Sequence, residues 1–401
     1  MSGQRNLSRE AYVVDYLRTP FSRSRPNEPE RDVYNSTRMD QALALLIRRL
    51  VERDGVNPED IGDVITGCAF QVGENWLYGG RHPVLLAGLP VSVPAVGMDR
   101  ACASSMNGVA VGAMEIMTGN SEVVLAGGME HLTHVPMNNN PHITPSMKLL
   151  ASPEYARYKM GTGYVMGLTA EKLAEEEGFT REEMDLYAVG SHAKASKSLD
   201  EGWFKGELME MKVEMGGEQR VIDADQSIRK GTSFEQLAKL GPAFKDGGMV
   251  TAGNSSPLNA GASMVLLMSG EKVKEAGLKP LAKIISFGWA GVEPSVMGKG
   301  PVPSSRKALA RGGVNLEDVD LWEVNEAFAV VVLYAIRELG LDPGRVNAHG
   351  GSIAIGHPLG ASGARIVGTL ARQLRGTGKE YGVATLCVGG GQGFATLMQR
   401  A

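Results

Sequence analysis

The strongest constraint in this sequence is that parts of it occur twice. Val56-Asn-Pro-Glu-Asp-Ile61 returns as Val314-Asn-Leu-Glu-Asp-Val319, each copy leading into a strand-like run. Further along each half, a strand ends on a glycine pair, in Val124-Leu-Ala-Gly-Gly128 and again in Leu386-Cys-Val-Gly-Gly390, at nearly matching distances. A repeated order of elements implies a duplicated supersecondary unit. Strand-like runs at Ala11–Asp15, Val64–Gly67, Val123–Ala126, Leu321–Val324 and Val383–Cys387 alternate with helical stretches at Met39–Arg53, Ser104–Thr118, Glu326–Leu339 and Ala361–Leu374. The 52 glycines cluster at the ends of the apolar runs, where tight connections need them. This alternation predicts two layered α/β halves, an αβαβα arrangement.

Residues 131–249 break the rhythm, with more Met, Asn, Pro and charge, an irregular run over His131–Pro145, and a capping-box helix start at Thr180-Arg-Glu-Glu183. They read as a large loop domain inserted in the first half, and excursions of this length usually shape a binding site. The division is then 1–130 with 250–278 for the first half, 131–249 for the insertion and 279–401 for the second half.

Composition excludes several classes. At 401 residues, 43% hydrophobic and 21% charged, the chain can bury a large core without disulfides or metals. A net charge of −4 argues against a nucleic-acid binder that relies on a global basic field. No stretch reaches transmembrane length without charges. The polar start, Met1 to Glu10, lacks a secretory pattern, so a cytoplasmic protein is expected. Three cysteines, Cys68, Cys102 and Cys387, with no CxxC spacing, point to a reducing compartment and no zinc site.

Two of those cysteines sit where chemistry is expected. Cys102, in Asp99-Arg-Ala-Cys-Ala-Ser-Ser-Met106, precedes an apolar helix whose N-terminal N–H groups favour an anion. A thiolate of lowered pKa is expected there, although a small buried thiol with no chemistry is the commoner fate of a free cysteine. His357 lies in the glycine-dense Gly350-Gly-Ser-Ile-Ala-Ile-Gly-His-Pro-Leu-Gly360, suited to a base acting on a thiol or, more plainly, to a loop histidine bonded to a carbonyl. Cys387 ends a strand and is followed by Val388-Gly-Gly-Gly-Gln-Gly393, whose backbone N–H groups are free to hold an oxyanion. A dinucleotide reading of that glycine run fails because Phe394–Met398 is strand-like rather than helical. Asn325 follows a strand and reads either as an N-cap or as a group that orients a water at a strand end. His131 and His134 have the spacing of a metal pair but lie in loop without a carboxylate pattern, so no metal is expected.

Taken together and in order, Cys102 with Ser104-Ser-Met106, Asn325-Glu-Ala-Phe328, Gly356-His-Pro-Leu-Gly360 and Cys387-Val-Gly-Gly-Gly391 resemble the thiolase family. The likeness runs from Val13-Val-Asp-Tyr-Leu-Arg-Thr-Pro20 to Arg400 and includes Met166-Gly-Leu-Thr-Ala-Glu171, Gly241-Pro-Ala-Phe244 and Thr251-Ala-Gly-Asn-Ser-Ser256. His134-Val-Pro-Met137 and Pro294-Ser-Val-Met-Gly-Lys-Gly-Pro-Val-Pro303 look like the bacterial branch that cleaves 3-ketoacyl-CoA in fatty-acid β-oxidation.

The resemblance implies an acyltransferase with no permanently bound cofactor and coenzyme A as substrate. Cys102 would carry the acyl group, His357 would activate it and bind the thioester oxygen, and Cys387 would exchange the proton of the acetyl carbon. Asn325 would hold a water in one oxyanion hole, with the backbone N–H groups of Cys102 and Gly389 forming the other. Arg229 would lie beside the CoA nucleotide, Ser256 near the pantetheine, and Met166 along the pocket. A homodimer or dimer of dimers is expected, and a β-oxidation multienzyme partner is compatible with that branch.

Departures from the family pattern fall at His349 for Asn, Ala260 for Asp, Gly241 for Arg, and Val165, where the biosynthetic acetoacetyl-CoA branch has His. The last favours a degradative enzyme with a wider pocket over that biosynthetic alternative. A decarboxylating ketoacyl synthase fits less well, because Cys387 stands where such enzymes place His. A non-catalytic acyl-CoA binder or scaffold would not need all four positions filled.

Overall fold

A computed structural model describes residues 9–401. The first part of the polar N-terminal segment, residues 1–8, lies outside the described residues. The first half contains β1 (Ala11–Arg18), α1 (Met39–Arg53), β2 (Ile61–Gly67), α2 (Arg81–Leu86), β3 (Ala95–Met98), α3 (Ser104–Thr118) and β4 (Val123–His131). A long excursion carries α4 (Met147–Ala151), α5 (Met160–Gly163), α6 (Met166–Glu177), α7 (Arg181–Asp200), the hairpin β5 (Met211–Met215) and β6 (Glu218–Ile222), and α8 (Phe234–Ala238). The chain then returns through β7 (Ala260–Ser269) and α9 (Gly270–Glu275). The second half runs β8 (Ala282–Gly291), α10 (Pro301–Gly312), β9 (Leu321–Val324), α11 (Ala329–Leu339), α12 (Leu359–Thr377), β10 (Tyr381–Val388) and β11 (Gln392–Arg400).

Nine strands pair in the order β3-β2-β4-β7-β1-β8-β11-β10-β9. From the centre outward the halves mirror one another. β1 pairs antiparallel with β7, which pairs antiparallel with β4, which runs parallel to β2. Likewise β8 pairs antiparallel with β11, which pairs antiparallel with β10, which runs parallel to β9. The halves are joined by the short pairing of Tyr12 with Lys283 and Val13 with Ala282. The duplication read from sequence is therefore a duplication of topology.

Strand periodicity explains the layers. Along β7, Met264, Leu266 and Met268 pack on one side with α1, while Val265 and Leu267 face the core that contains α3 and α12. That central core also takes Leu386 and Val388 from β10 and Phe394 and Met398 from β11, so α3 and α12 lie between the two halves. Helix α12 is buried along almost its whole length. Its glycines allow this. A Cβ on Gly363 would press on the Met106 backbone N and come within 2.6 Å of Met106 Cβ, and one on Gly368 would overlap the Tyr16 ring.

Three sequence expectations shift. Strand β4 does not end on Gly127-Gly128 but continues through the pair to His131. Helix α11 begins at Ala329, not Glu326, with Phe328 as its N-cap residue. The intervening backbone is already committed: the Asn325 N–H donates to Thr385 O, Ser256 N–H to Ala327 O, and Ala329 N–H to Asn254 O. Helix α12 extends beyond the expected Ala361–Leu374 at both ends, starting directly after Pro358.

Candidate active site

Cys102 is presented on a tight strand-to-helix turn between β3 and α3. Ala101 takes a left-handed φ of 44°, a conformation that costs an Ala roughly 1–2 kcal/mol. The turn is held by side chains: Asp99 Oδ1 accepts the Ala101 N–H at 2.7 Å, Ser104 Oγ accepts the Arg100 N–H at 2.9 Å, and the same hydroxyl donates to Ala101 O at 2.6 Å. Cys102 sits in the single 3-10 turn that opens α3 and keeps partial exposure. The backbone N–H groups of Gly389 and of Cys102 itself favour negative charge on its sulfur.

Gly389 belongs to the turn between β10 and β11, where Gly390 and Gly391 adopt φ of 81° and 83°. A side chain on Gly389 would meet Met166 Sδ at 3.6 Å and Ala101 Cβ at 3.9 Å, so Met166, at the start of α6, borders the same spot. Cys387, two residues before Gly389, is 1% exposed, and a charge on Cys102 would raise it further.

The thiol expectation needs correction. Burial pushes the Cys102 thiol up to about 11, despite the two N–H groups that pull it down. Burial, and then Cys102, push Cys387 higher still. The resting site therefore holds two neutral thiols rather than a ready thiolate, because desolvation outweighs the N–H groups at the helix start. These same donors become most useful when negative charge develops on a bound substrate.

His357 is placed from both sides of its backbone. Gly356 takes φ 122°, and a Cβ there would strike the Asn259 amide, whose Oδ1 accepts the His357 N–H at 2.7 Å. The ring Nδ1 lies 2.6 Å from Ser362 Oγ, and Nε2 lies 3.4 Å from Asn325 Nδ2. Burial, reinforced by Arg365, lowers His357 to about 3, so the ring is neutral at ordinary pH. Asn325 is fully buried and is not an N-cap; its Oδ1 accepts from Ser352 Oγ at 2.6 Å. The turn bearing Cys102 packs against both α12, which starts two residues after His357, and β10, which carries Cys387.

Sequence reasoning missed Ser352, Ser362, Asn259 and Arg365, all buried around this pair. Ser362 had a signal, since it falls in the first turn of the helix that His357 precedes. Asn259 had none, because nothing local connects it to a loop 98 residues away. Glu130, fully buried, accepts the backbone N–H groups of Ala69, Phe70 and Gly360 and the Asn75 amide, which pins the loop after His357 to the first half. The third cysteine, Cys68, is buried and donates its thiol to Glu130 at 3.3 Å.

Ser256 is half-buried, with its N–H on Ala327 O. Arg229 is exposed, donates its backbone N–H to His192 Nδ1 at 3.3 Å, and adds to the burial that lowers His192 to about 4. Val165 is exposed just ahead of α6, Gly241 is open on all sides, and Ala260 is the buried first residue of β7. His349 bonds Ser198 at 2.8 Å and stacks on Trp203 at 3.8 Å, so it ties its loop to α7. His131 and His134 stack at 3.8 Å near Glu74, with ligand atoms close enough to hold an ion. Their nitrogens are spent otherwise: on Tyr34 O and the His134 N–H for His131, and on Glu74 and Asn35 for His134.

Comparison with known proteins places this arrangement. The profile described as thiolase, N-terminal domain, matches residues 11–271, and that of the thiolase C-terminal domain matches 278–400. A protein of Aliivibrio fischeri named 3-ketoacyl-CoA thiolase is 42% identical over 394 residues, covering 97% of this chain and 98% of its own. The crystal structure of human mitochondrial 3-ketoacyl-CoA thiolase superposes with TM-score 0.87 at 36% identity, covering 98% of this chain and 99% of that one. That of Bacillus anthracis acetyl-CoA acetyltransferase gives 0.84 at 35% identity with the same coverage.

Proposed function

The chain belongs to the thiolase family, and from that premise we propose how it works as a 3-ketoacyl-CoA thiolase, an acyltransferase that splits 3-ketoacyl-CoA with a second CoA. The observation that carries the reading is that the turn bearing Cys102 packs against both β10, which carries Cys387, and α12, which follows His357, with a neutral His357 held beside Asn325.

As the Cys102 sulfur attacks the 3-keto carbon, its proton passes to His357 Nε2. The N–H groups of Cys102 and Gly389 stabilise the alkoxide. The C2–C3 bond then breaks and leaves its electron pair as an enolate. Its oxygen is held by His357 and by a water on Asn325, and Cys387 gives its proton to C2, releasing acetyl-CoA. The incoming CoA thiol gives its proton to the Cys387 thiolate and attacks the acyl carbon. Cys102 leaves and recovers its proton from His357. Two neutral thiols and a neutral imidazole are the starting state this cycle needs and the one to which it returns. The double displacement gives ping-pong kinetics.

Coenzyme A is substrate rather than resident cofactor, with its nucleotide at Arg229, its pantetheine arm along Ser256 and its reactive end beside Met166. The exposure of Arg229 and the place of Met166 beside Gly389 support that path. The unpaired edge of β3, with Val96, Trp76 and Tyr78 exposed nearby, supports a homodimer. Three unbridged cysteines support a reducing, cytoplasmic setting. The degradative, β-oxidation direction rests on Val165 and on the relatives' printed names.

The test is thiolysis of 3-ketoacyl-CoA across acyl chain lengths. Acetyl-CoA must form with each accepted substrate, and Cys102→Ser must abolish it while CoA still binds. Activity confined to acetoacetyl-CoA would shift the reading to the biosynthetic reaction, and no acetyl-CoA at all would leave an acyl-CoA binder.

A further inference from the structure

Behind the imidazole runs a buried polar chain that the reaction scheme does not use. Glu323 on β9 accepts from Arg365 Nη1 at 3.1 Å and, through its other oxygen, from Gln373 Nε2 at 2.7 Å. Arg365 Nη2 donates to Ser352 Oγ at 2.9 Å, and Ser352 Oγ stands 2.6 Å from Asn325 Oδ1. Glu323, Arg365, Ser352, Gln373 and Asn325 are all at most 2% exposed.

The bond directions along this chain agree with a single arrangement. Arginine has only donors, so the Ser352 oxygen must accept from it. The single Ser352 proton is left for Asn325, whose carbonyl Oδ1 is the atom that faces it. With Oδ1 engaged, Nδ2 is the end that faces His357 Nε2. An N–H donor there requires a lone pair on Nε2. The other side of the ring agrees. Ser362 donates to Pro358 O at 2.9 Å, so its oxygen accepts the Nδ1 proton of His357.

We propose that Arg365, acting through Ser352, is a positioning group that fixes the Asn325 amide and thereby keeps His357 in the tautomer whose Nε2 accepts the Cys102 proton. The inference rests on the reading of Asn325 and His357 as the reacting pair. Without Ser352 the amide is free to turn. An Oδ1 facing Nε2 would favour a proton on that nitrogen, and the base would become a donor before the thiol had delivered its proton. The buried Arg365 charge adds a second effect of the same sign, since it opposes protonation of the ring.

The experiment compares Ser352→Ala, Asn325→Ala and the double variant in the full-length enzyme, by thiolysis of acetoacetyl-CoA from pH 5 to 9, with thermal unfolding recorded for each. Ser352→Ala is expected to lower kcat about tenfold, less than the loss of a whole oxyanion donor. KM for CoA should stay within about twofold, since ground-state binding is untouched. The acid limb of kcat/KM, which a wild-type ring at about 3 keeps below pH 5, should move up into the measured range because the ring now gains its proton more easily, and the double variant should be no slower than Asn325→Ala. An impaired Asn325→Ala beside a Ser352→Ala enzyme with wild-type kcat and acid limb would overturn the relay alone. A loss in Ser352→Ala that tracks the folded fraction, with an unmoved acid limb, would overturn it too. Wild-type thiolysis in Asn325→Ala would instead sink the reading of the pair itself.

Discussion

Replacing Gly363 by Ala should damage both stability and catalysis, although it adds one methyl group far from any solvent. The new Cβ would press on the Met106 backbone N and lie 2.6 Å from Met106 Cβ and 3.0 Å from Met106 Cα, whereas ordinary contact begins at 3.4 Å. Most of what it meets is the backbone of α3, so no side chain can swing aside. The helices must part by about 1 Å, and overpacking of this kind costs about 1–3 kcal/mol. Because α3 carries Cys102 at its start and α12 follows directly on His357, the separation also moves thiol and imidazole apart. A misplacement near 1 Å is worth up to about a hundredfold in rate. Gly376 in the same helix is the control, since a Cβ there meets nothing within 4 Å. Gly376→Ala should gain up to about 1 kcal/mol from helix propensity and leave kcat alone. Denaturant unfolding and acetoacetyl-CoA thiolysis on both variants decide the matter. A Gly363→Ala enzyme with wild-type midpoint and kcat would show that the α3–α12 contact does not set the site.

Three further outcomes follow from the same geometry. Arg18 is fully buried between Glu207 at 2.7 Å and Asp225 at 2.6 Å, so Arg18→Met should cost about 3–5 kcal/mol by stranding two carboxylates, read as a fall in denaturation midpoint. Thr180→Ala removes one partner of the capping box on α7 and should cost about 1 kcal/mol without touching kcat. His349, lowered to about 4 by burial and then by Arg372, stays neutral in the fold while its unfolded counterpart protonates near 6.5. Its contribution is complete above pH 6.5 and is lost as pH falls toward 4. His349→Asn should therefore gain on wild type by about 1 kcal/mol between pH 7 and pH 5, after a discount for its partial exposure, and an unchanged difference in unfolding free energy would refute the assignment.

What the sequence revealed followed its short-range physics. The ends of β9 and of α3 were legible from apolar periodicity and flanking glycines, and Cys102, His357 and Cys387 stood out because each sits beside residues that punctuate the backbone. The start of α11 was not legible, because the stretch from Asn325 to Ala329 is held by Thr385, Ser256 and Asn254, partners as much as 75 residues away. The state of the thiols was misjudged for a related reason. A helix start is visible in sequence and the depth of burial is not, and at Cys102 burial prevails. Ser352, Asn259 and Arg365 stayed hidden because their importance is a matter of who lies across from them.

The duplication also explains why the two reactive loops face one another. Helices α3 and α12 occupy equivalent places, each leading into a strand with a glycine pair, within β4 at Gly127-Gly128 and just past β10 at Gly389-Gly390, and Cys102 and His357 precede them in the same way. The helices pack against each other at Gly363, and each start reaches the strand end of the opposite half: the Gly360 N–H bonds Glu130 near the end of β4, and the turn bearing Cys102 packs against β10. The two crossings are then used differently. At the β4 end the space is filled, since a Cβ on Gly128 would lie 3.0 Å from the Gly360 carbonyl carbon and one on Gly127 2.7 Å from Met264 Cα. At the β10 end Gly389 meets nothing closer than Met166 Sδ at 3.6 Å. One copy of the motif has become packing and the other has kept the opening, so a symmetric scaffold yields a single site with a sulfur from the first half and an imidazole, an amide and a second sulfur from the other.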